Sequence, residues 1–377
     1  LMNSILKFSV HAGKHNRDFC PMKLIVSKKI SKIKQDSKFI LKPEDEKLAI
    51  PVQLYDEGEN YVIYWIENNL LFNQSRTYTL DPLDSLKYGN GFTYGVNLLE
   101  GDHEINIEIG GKLFTTYSYR ENVAKPYLGP IMNAYGDSYT RLDFETDEHP
   151  HHRSVWVAHG DINGVDCWNE PEGVYGKQHH QEFTEVISGN VFGRIKAHNK
   201  WTDYNGHPLL DEIRTITIFN TPVEYRFIDI NITFKASYGR VEFGASKEAG
   251  PLGIRVAESM RADKGGYIVN SYNAQGEGEC WGHTAQWCDY SGEIHGNLGG
   301  IAVFDNTHNK NYPTYWHVRD YGLLAANNFY FLGGKILEKN ERADYAYRIY
   351  LHNGNATDSR VSNHFINYIN PPKVKIL

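Results

Sequence analysis

The sequence predicts an all-β protein, a small N-terminal β-sandwich followed by one large antiparallel sandwich. Three observations predict it. Aromatic residues that suit pleated surfaces are abundant, with 26 Tyr, 17 Phe and 7 Trp among 377 residues. Apolar residues recur at every second position in several segments, which is the strand period. No amphipathic stretch of helical period reaches ten residues, and there is no heptad, short-period repeat or low-complexity tract. A chain of this length leaves room for about two domains and a sizeable core.

Taken in order, residues 1–21 hold a short apolar patch followed by His, Lys and Arg. They lack the long apolar run and A-x-A site of a signal peptide, so they are expected to be a loosely ordered leader. The first strand is placed from Met22 into KLIVSKKI. YVIYWIE (61–67) and INIEI (105–109) follow, the latter with Ile105, Ile107 and Ile109 on one face. Gly89, Gly91 and Gly95 precede no helix and read as a turn, not a phosphate loop. Residues 22–124 thus form the expected small sandwich. AKPYLGPI (124–131), with two prolines and a glycine, is the expected boundary. Residues 125–377 form the larger unit. EFTEVI (182–187) is a strand. EIRTITIF (212–219) and EYRFIDINITF (224–234) make a hairpin through Asn220-Thr221-Pro222. IAVF (301–304) is a buried strand, and YAYRIYL (345–351) alternates again.

Composition excludes some functions. A net charge of -7 gives no footprint for nucleic acid or an anionic membrane. No apolar run approaches the ~18 residues that span a bilayer. Cys20, Cys167, Cys280 and Cys288 include no C-x-x-C pair. So few cysteines point to free thiols and a reducing, cytoplasmic compartment, although Cys280 and Cys288 are close enough in sequence to meet across a hairpin. G-x-S-x-G, H-E-x-x-H, Walker and Rossmann motifs are all missing.

The chemistry concentrates in residues 148–170, EHPHHRSVWVAHGDINGVDCWNE. His149, His151, His152 and His159 lie within eleven residues, and histidine both ligates metals and moves protons near neutrality. Pro150 disfavours helix before it. In extended chain His149 and His151 share a face, a possible two-histidine metal site, with His152 pointing away as an acid or base. A polar loop with backbone-bonded histidines is the plainer alternative. Arg153 suits a carboxylate or sugar hydroxyl. Asp161, Asn163 and Gly164 read as a turn; Asp166 and Trp168 alternate toward the same cleft. His179 and His180, in QHHQ (178–181), read as a surface loop.

Three further segments are candidate opposite walls. In GPLGIRVAESM (250–260), Arg255 is a ligand for substrate and Glu258 a buried general base, its pKa raised by desolvation; a surface carboxylate is the alternative. In GEGECWGHTAQWCDYSG (276–292), Trp281 offers a platform for a sugar, His283 an acid or base and Tyr290 a phenol donor, beside Trp287 and Asp289; core packing is the alternative for the aromatics. In YPTYWHVRDYGLLAANNF (312–329), His317 and Arg319 share a strand face, with Asp320 either opposing them or ion-paired to Arg319.

These motifs, HPHHRSVWVAHGDINGVDCW, LGIRVAES, WGHTAQWCDYSG and GIAVFDN with YPTYWHVRDYGLLAANNF, together resemble the DUF6807 family over roughly residues 125–355. The family has also carried the label methane oxygenase. The resemblance implies a galactose-mutarotase-like β-supersandwich. His283 departs from it, standing where Lys is common, and Ser154 stands where Gly is frequent. A methane monooxygenase subunit is a membrane-embedded helical protein, and no segment here has the length for that. The expected function is therefore a carbohydrate-active enzyme using His and carboxylate acid–base chemistry on a sugar or oligosaccharide. The more specific version is a lyase or hydrolase assisted by a divalent metal. A sugar mutarotase or epimerase, a non-catalytic sugar-binding protein and a different metal-dependent oxygenase are the alternatives, the last without a clear two-His-one-carboxylate spacing.

Overall fold

The computed structural model describes residues 5–29, 33, 38–45, 48–83, 95–142, 146 and 148–377. Two eight-stranded sheets, antiparallel throughout, dominate it. The first runs Tyr315–Arg319, Leu323–Asn327, Ala249–Arg255, Val155–His159, Tyr127–Leu128, Lys112–Ser118, Glu104–Ile109, Val96–Glu100. The second runs Lys177–Ile187, Phe192–Thr202, Pro208–Phe219, Tyr225–Lys235, Arg342–Asn353, Asn297–Asp305, Trp287–Ile294, Tyr267–Asn270.

Alternation decides how they pack. Ile105, Val155, Val157, Leu252, Ile254 and Leu324 of the first sheet face Ile216, Ile228, Ile230, Ile301, Ile349 and Leu351 of the second in one continuous core. Fully burying each such side chain contributes about 1.5–3 kcal/mol. The expected hairpin across residues 220–222 is present, with Thr217 opposite Asp229. QHHQ differs from its reading: His179 and His180 lie within the strand Lys177–Ile187, not in a loop. All four cysteines are buried free thiols.

Two smaller sheets form a separate unit. One is ordered Lys373–Ile376, Leu6–His11, Ser75–Pro82, Phe39–Pro43, Ile50–Pro51, the other Cys20–Ser27, Asn60–Glu67, Gln53–Glu57. Phe8, Val10, Met22, Ile63, Trp65, Tyr78 and Leu80 from both share one core. This unit covers the outer face of the second large sheet through the helix Val361–Ile369, where Phe365 joins Phe192, Phe227, Phe304 and Tyr350. Arg17 ties it down further, donating to Asn367 Oδ1 at 3.0 Å and to the Asn370 carbonyl at 2.8 Å.

The division of the chain departs from expectation at three places. Residues 6–11 are a central strand, not part of a loose leader, because Phe8, Val10 and Ala12 alternate with Lys7, Ser9 and His11 and are 0% exposed. Residues 96–118 belong to the first large sheet, which moves the break in sheet membership ahead of the boundary expected at residue 124. Residues 373–376 return to the small unit. Gly89 and Gly91 lie outside the described residues; Gly95 directly precedes a strand.

Phe8→Ala is expected to destabilise the protein by about 3–5 kcal/mol, as for a large core side chain, in chemical denaturation followed by tryptophan fluorescence. A loss near zero would show that residues 6–11 are not seated.

Candidate functional site

The outer face of the first large sheet carries the chemistry. On its four strands at residues 155–159, 249–255, 323–327 and 315–319, the inward positions are apolar. The outward ones are Trp156, Gly253, Arg255, Leu323, Ala325, His317 and Arg319. The register lines these up across the sheet: Trp156 opposite Gly253, Gly253 opposite Ala325, Ala325 opposite His317. Three strand spacings of ~4.8 Å separate Trp156 from His317 by roughly 14 Å. Between them the Gly253 and Ala325 positions are covered, because Trp156, Trp168, Leu323 and Ala325 pack as one buried cluster. Gly253 is required there, since a Cβ would sit 2.7 Å from the Trp156 ring and 2.9 Å from Trp168.

The histidine loop folds over the Trp156 side. His149 has a left-handed φ of 51°, and the His152 amide donates to its carbonyl at 3.0 Å. That turn replaces the expected extended chain. His149 and His152 stack at 4.9 Å and 8°, and His151, which was expected to share a face with His149, lies edge-on to both. Trp156 continues the stack beyond His152, at 5.0 Å, and Tyr321 beyond His149, at 4.7 Å. Ser154 also has a left-handed φ, 52°, a conformation that glycine adopts without steric cost.

Arg255, 0% exposed, organises the charges. Its guanidinium donates to His152 Nδ1 at 3.2 Å and to Glu148 Oε2 at 2.5 Å, and lies 4.9 Å from the centre of the Tyr321 ring. Arg141 donates to the same Glu148 oxygen at 2.7 Å and to the His149 carbonyl at 2.8 Å. Glu148 Oε1 lies 2.6 Å from His149 Nδ1. Burial alone would raise the Glu148 carboxyl, but hydrogen bonds from Arg141 and His149 and the Arg255 charge hold it down at about 2.

These partners set the histidine tautomers. A guanidinium only donates, so His152 Nδ1 accepts and its proton sits on Nε2. His317 is held the same way, because the Trp281 indole N–H donates to its Nδ1 at 2.8 Å. Burial lowers both imidazoles, His317 to about 3 with Arg319 and Lys247 adding to the effect, and His152 well below its ordinary value. They are neutral Nε2–H donors. His149 is the opposite case: its Nδ1–H meets an ionised carboxylate, so in the neutral tautomer the lone pair lies on Nε2. His151 is lowered to about 3, by burial and then by nearby Lys125, and its Nε2 has no partner among the described residues.

Several expected site residues have other duties. His159 donates Nε2–H to the Gly244 carbonyl at 2.9 Å and packs on Phe243 and Phe329 at the sandwich core. Tyr290 is fully buried, its hydroxyl bonded to the Arg319 and Asp320 carbonyls and the Ala262 amide. Glu258 is not a buried base. Its side chain is 42% exposed, and Arg141, Arg255, Arg261 and Lys264 surround it. Burial would raise its carboxyl, yet Arg261 and Lys264 bring it below its ordinary value. Asp166 caps the turn through the Trp168 and Asn169 amides. Trp168 itself is buried against Trp156 and His152. Arg153 chelates Glu170, which also holds the buried Lys125. Arg319 pairs with Glu277 rather than with Asp320, which is itself bonded to Glu277 backbone and side chain. His283 is exposed and makes only backbone hydrogen bonds. Among the described residues, no three His, Cys, Asp or Glu side chains converge as metal ligands, His149 and His151 included.

Arg255 thus touches the histidine loop, and His317 with Trp281 stands further along the same sheet face. Arg141, Glu148 and Tyr321 were not singled out. Glu148 and Tyr321 stand inside the quoted motifs, and Arg141 carries no sequence signal beyond its charge.

The family described as "Family of unknown function (DUF6807)" matches residues 104–366. This chain belongs to the DUF6807 family. No curated protein matches it. Two solved structures from Enterococcus faecalis are similar to it. One is a protein in the glycosyl hydrolase family 38, with a TM-score of 0.45 and 10% identity over 99% of this chain and 47% of that one. The other is an alpha-mannosidase, with a TM-score of 0.49 and 9% identity over 99% of this chain and 46% of that one. The chain spans less than half the length of either. Among the described residues no helix is long and apolar enough to cross a membrane.

Two outcomes follow from this packing. Gly253→Ala is expected to cost about 1–3 kcal/mol through overpacking against the two indoles, read as a lower denaturation midpoint; an unchanged midpoint would show the indoles free to move. The second concerns acid. Histidines lowered from 6.5 to about 3, His151 and His317 among them, bind protons in the unfolded chain but not in the native one between those pH values. Stability is then complete above pH 6.5 and is lost as pH falls through that window. The melting temperature should decline between pH 7 and 5, before Glu148 and Glu170, both held near 2, begin to protonate in the native state. The decline should be shallower in His317→Gln; a flat profile in the parent protein would contradict the burial.

Proposed function

We propose that this face is a sugar-processing active site working by proton transfer, with His149 as the base. The observation that carries the reading is the 2.6 Å contact between His149 and Glu148. A carboxylate kept ionised by two arginines fixes the ring and stabilises the imidazolium that forms when Nε2 takes a proton. The Nε2–H groups of His152 and His317 supply neutral donors for an oxygen that gains charge, a role that suits imidazoles too weakly basic to be protonated. The half-buried Trp281 is the aromatic on this face that can lie against a pyranose ring, since Trp156 and Tyr321 are covered by the ring stack and Arg255.

This donor set favours an epimerase, mutarotase or lyase over a two-carboxylate hydrolase. Glycoside hydrolysis of that type needs a carboxylic acid with a raised pKa. Glu148 and Glu170 are held at about 2 and Glu258 below its ordinary value, so among the described residues none of these three carboxyls fills that role. A divalent metal, if the reaction uses one, would have His151 Nε2 as its nearest unpartnered nitrogen donor in the loop. A non-catalytic sugar-binding protein is the second reading, favoured by the two buried histidines fixed as donors.

The test is a screen of the purified protein against aldoses, uronates and keto-glycosides, followed by variants on the active substrate. His149→Ala should lower kcat about 10²–10⁴-fold, the usual range for a general base, with the melting temperature little changed, and Glu148→Gln should lower it less. Full turnover in His149→Ala would remove the assignment. Saturable binding without turnover would select the binding-protein reading.

A further inference from the structure

A second cavity lies against the other large sheet. On the outer face of that sheet the register sets Arg194 opposite Thr217, Thr217 opposite Asp229, and Asp229 opposite Arg348. The small N-terminal unit roofs this polar row with Lys23 and Tyr64, which are register partners, and Pro371 and Pro372 close one side. This solvent-open cavity has a volume of about 450 Å³, inside the roughly 300–1,000 Å³ range of small-molecule sites.

Charge along the row is already balanced. Arg348 chelates Asp229 at 2.6 and 2.8 Å and stacks on Tyr368 at 4.5 Å. Arg194 lies 3.6 Å from Glu185 and donates to the Thr217 hydroxyl at 3.0 Å. Lys23 lines the cavity as an exposed cation. Hydrogen-bonding capacity remains, however. An ionised carboxylate has about four acceptor positions, and Arg348 occupies two of those on Asp229. Asn231, two residues further along the same strand face, has no side-chain partner among the described residues and lines the cavity. The half-buried Tyr64 adds flat apolar surface, while Arg348 covers the faces of Phe219 and Tyr368.

We infer that this cavity is a second saccharide site, selective for a neutral sugar. Vicinal hydroxyls would bond Asp229 and Asn231, and the C–H face of the ring would lie on an aromatic face. A formal charge on the ligand would find the Arg348–Asp229 and Arg194–Glu185 charges already paired, which leaves only the solvent-exposed Lys23 for an anion. The inference does not rest on the His149 site, and either can fail without the other.

The experiment is a titration of the full chain with xylotriose, cellotriose, mannotriose and sodium glucuronate, following the Tyr64 ring resonances in the roof by NMR. At least one neutral trisaccharide should shift them saturably. Asn231→Ala, at an exposed position, should weaken that binding about tenfold, one hydrogen bond's worth, and His149→Ala should leave it unchanged. A saturable shift with glucuronate alone would overturn the neutral-sugar assignment. No saturable shift with any probe, or equal binding by Asn231→Ala, would overturn the site.

Discussion

The Arg255 guanidinium is the constraint on which the histidine face depends. A fully buried cation costs several kcal/mol unless it is paired and hydrogen-bonded. The structure meets that requirement with Glu148, the Nδ1 atom of His152 and the face of Tyr321. Each partner is then fixed in turn. Glu148 stays ionised and orients His149; His152 is confined to one tautomer; Tyr321 closes the ring stack. The proton inventory of the face follows from the placement of one charge.

The sheet that presents Arg255 separates two kinds of work by the pleat. Its inward residues fill the sandwich core with Val, Leu and Ile, and its outward residues carry the polar groups. The same strand therefore supplies Ile254 to stability and Arg255 to the site. His159 and Tyr290 illustrate the other side of this rule. Both are polar and both lie in motifs rich in candidate catalytic groups, yet they sit on the core side and spend their hydrogen bonds on backbone carbonyls.

Much of the fold was legible because the strand period is local. Ile105, Ile107 and Ile109, and Ile228 through Phe234, point inward as their alternation requires. The strand at residues 6–11 carries the same signal through only Phe8 and Val10, too short to stand out beside a basic stretch. In the site, the segments that meet were readable from their residue types, but their geometry was not. A left-handed residue at His149 reverses which histidines share a face, and periodicity has no term for a single such residue. Glu258 was misread because the four cations around it come from residues 141, 255, 261 and 264, and the most distant of these is adjacent only in the folded chain. Family membership was readable because four long motifs occur in order.

The pairing of Leu6–His11 with Lys373–Ile376 has a consequence for biosynthesis. Phe8 meets Ile376 across the ladder, so the small unit is assembled from segments made far apart in time. On the ribosome, the strand at residues 6–11 can pair with residues 75–82 early, but its other side stays an open edge until residues 373–376 emerge. Open edges invite pairing with other chains, and at ~5–20 residues per second the wait is tens of seconds. Lys7 and His11 on that strand place charge or polarity along the edge during the interval. The strand at residues 373–376 then acts as a seal on a unit whose other strands were made earlier.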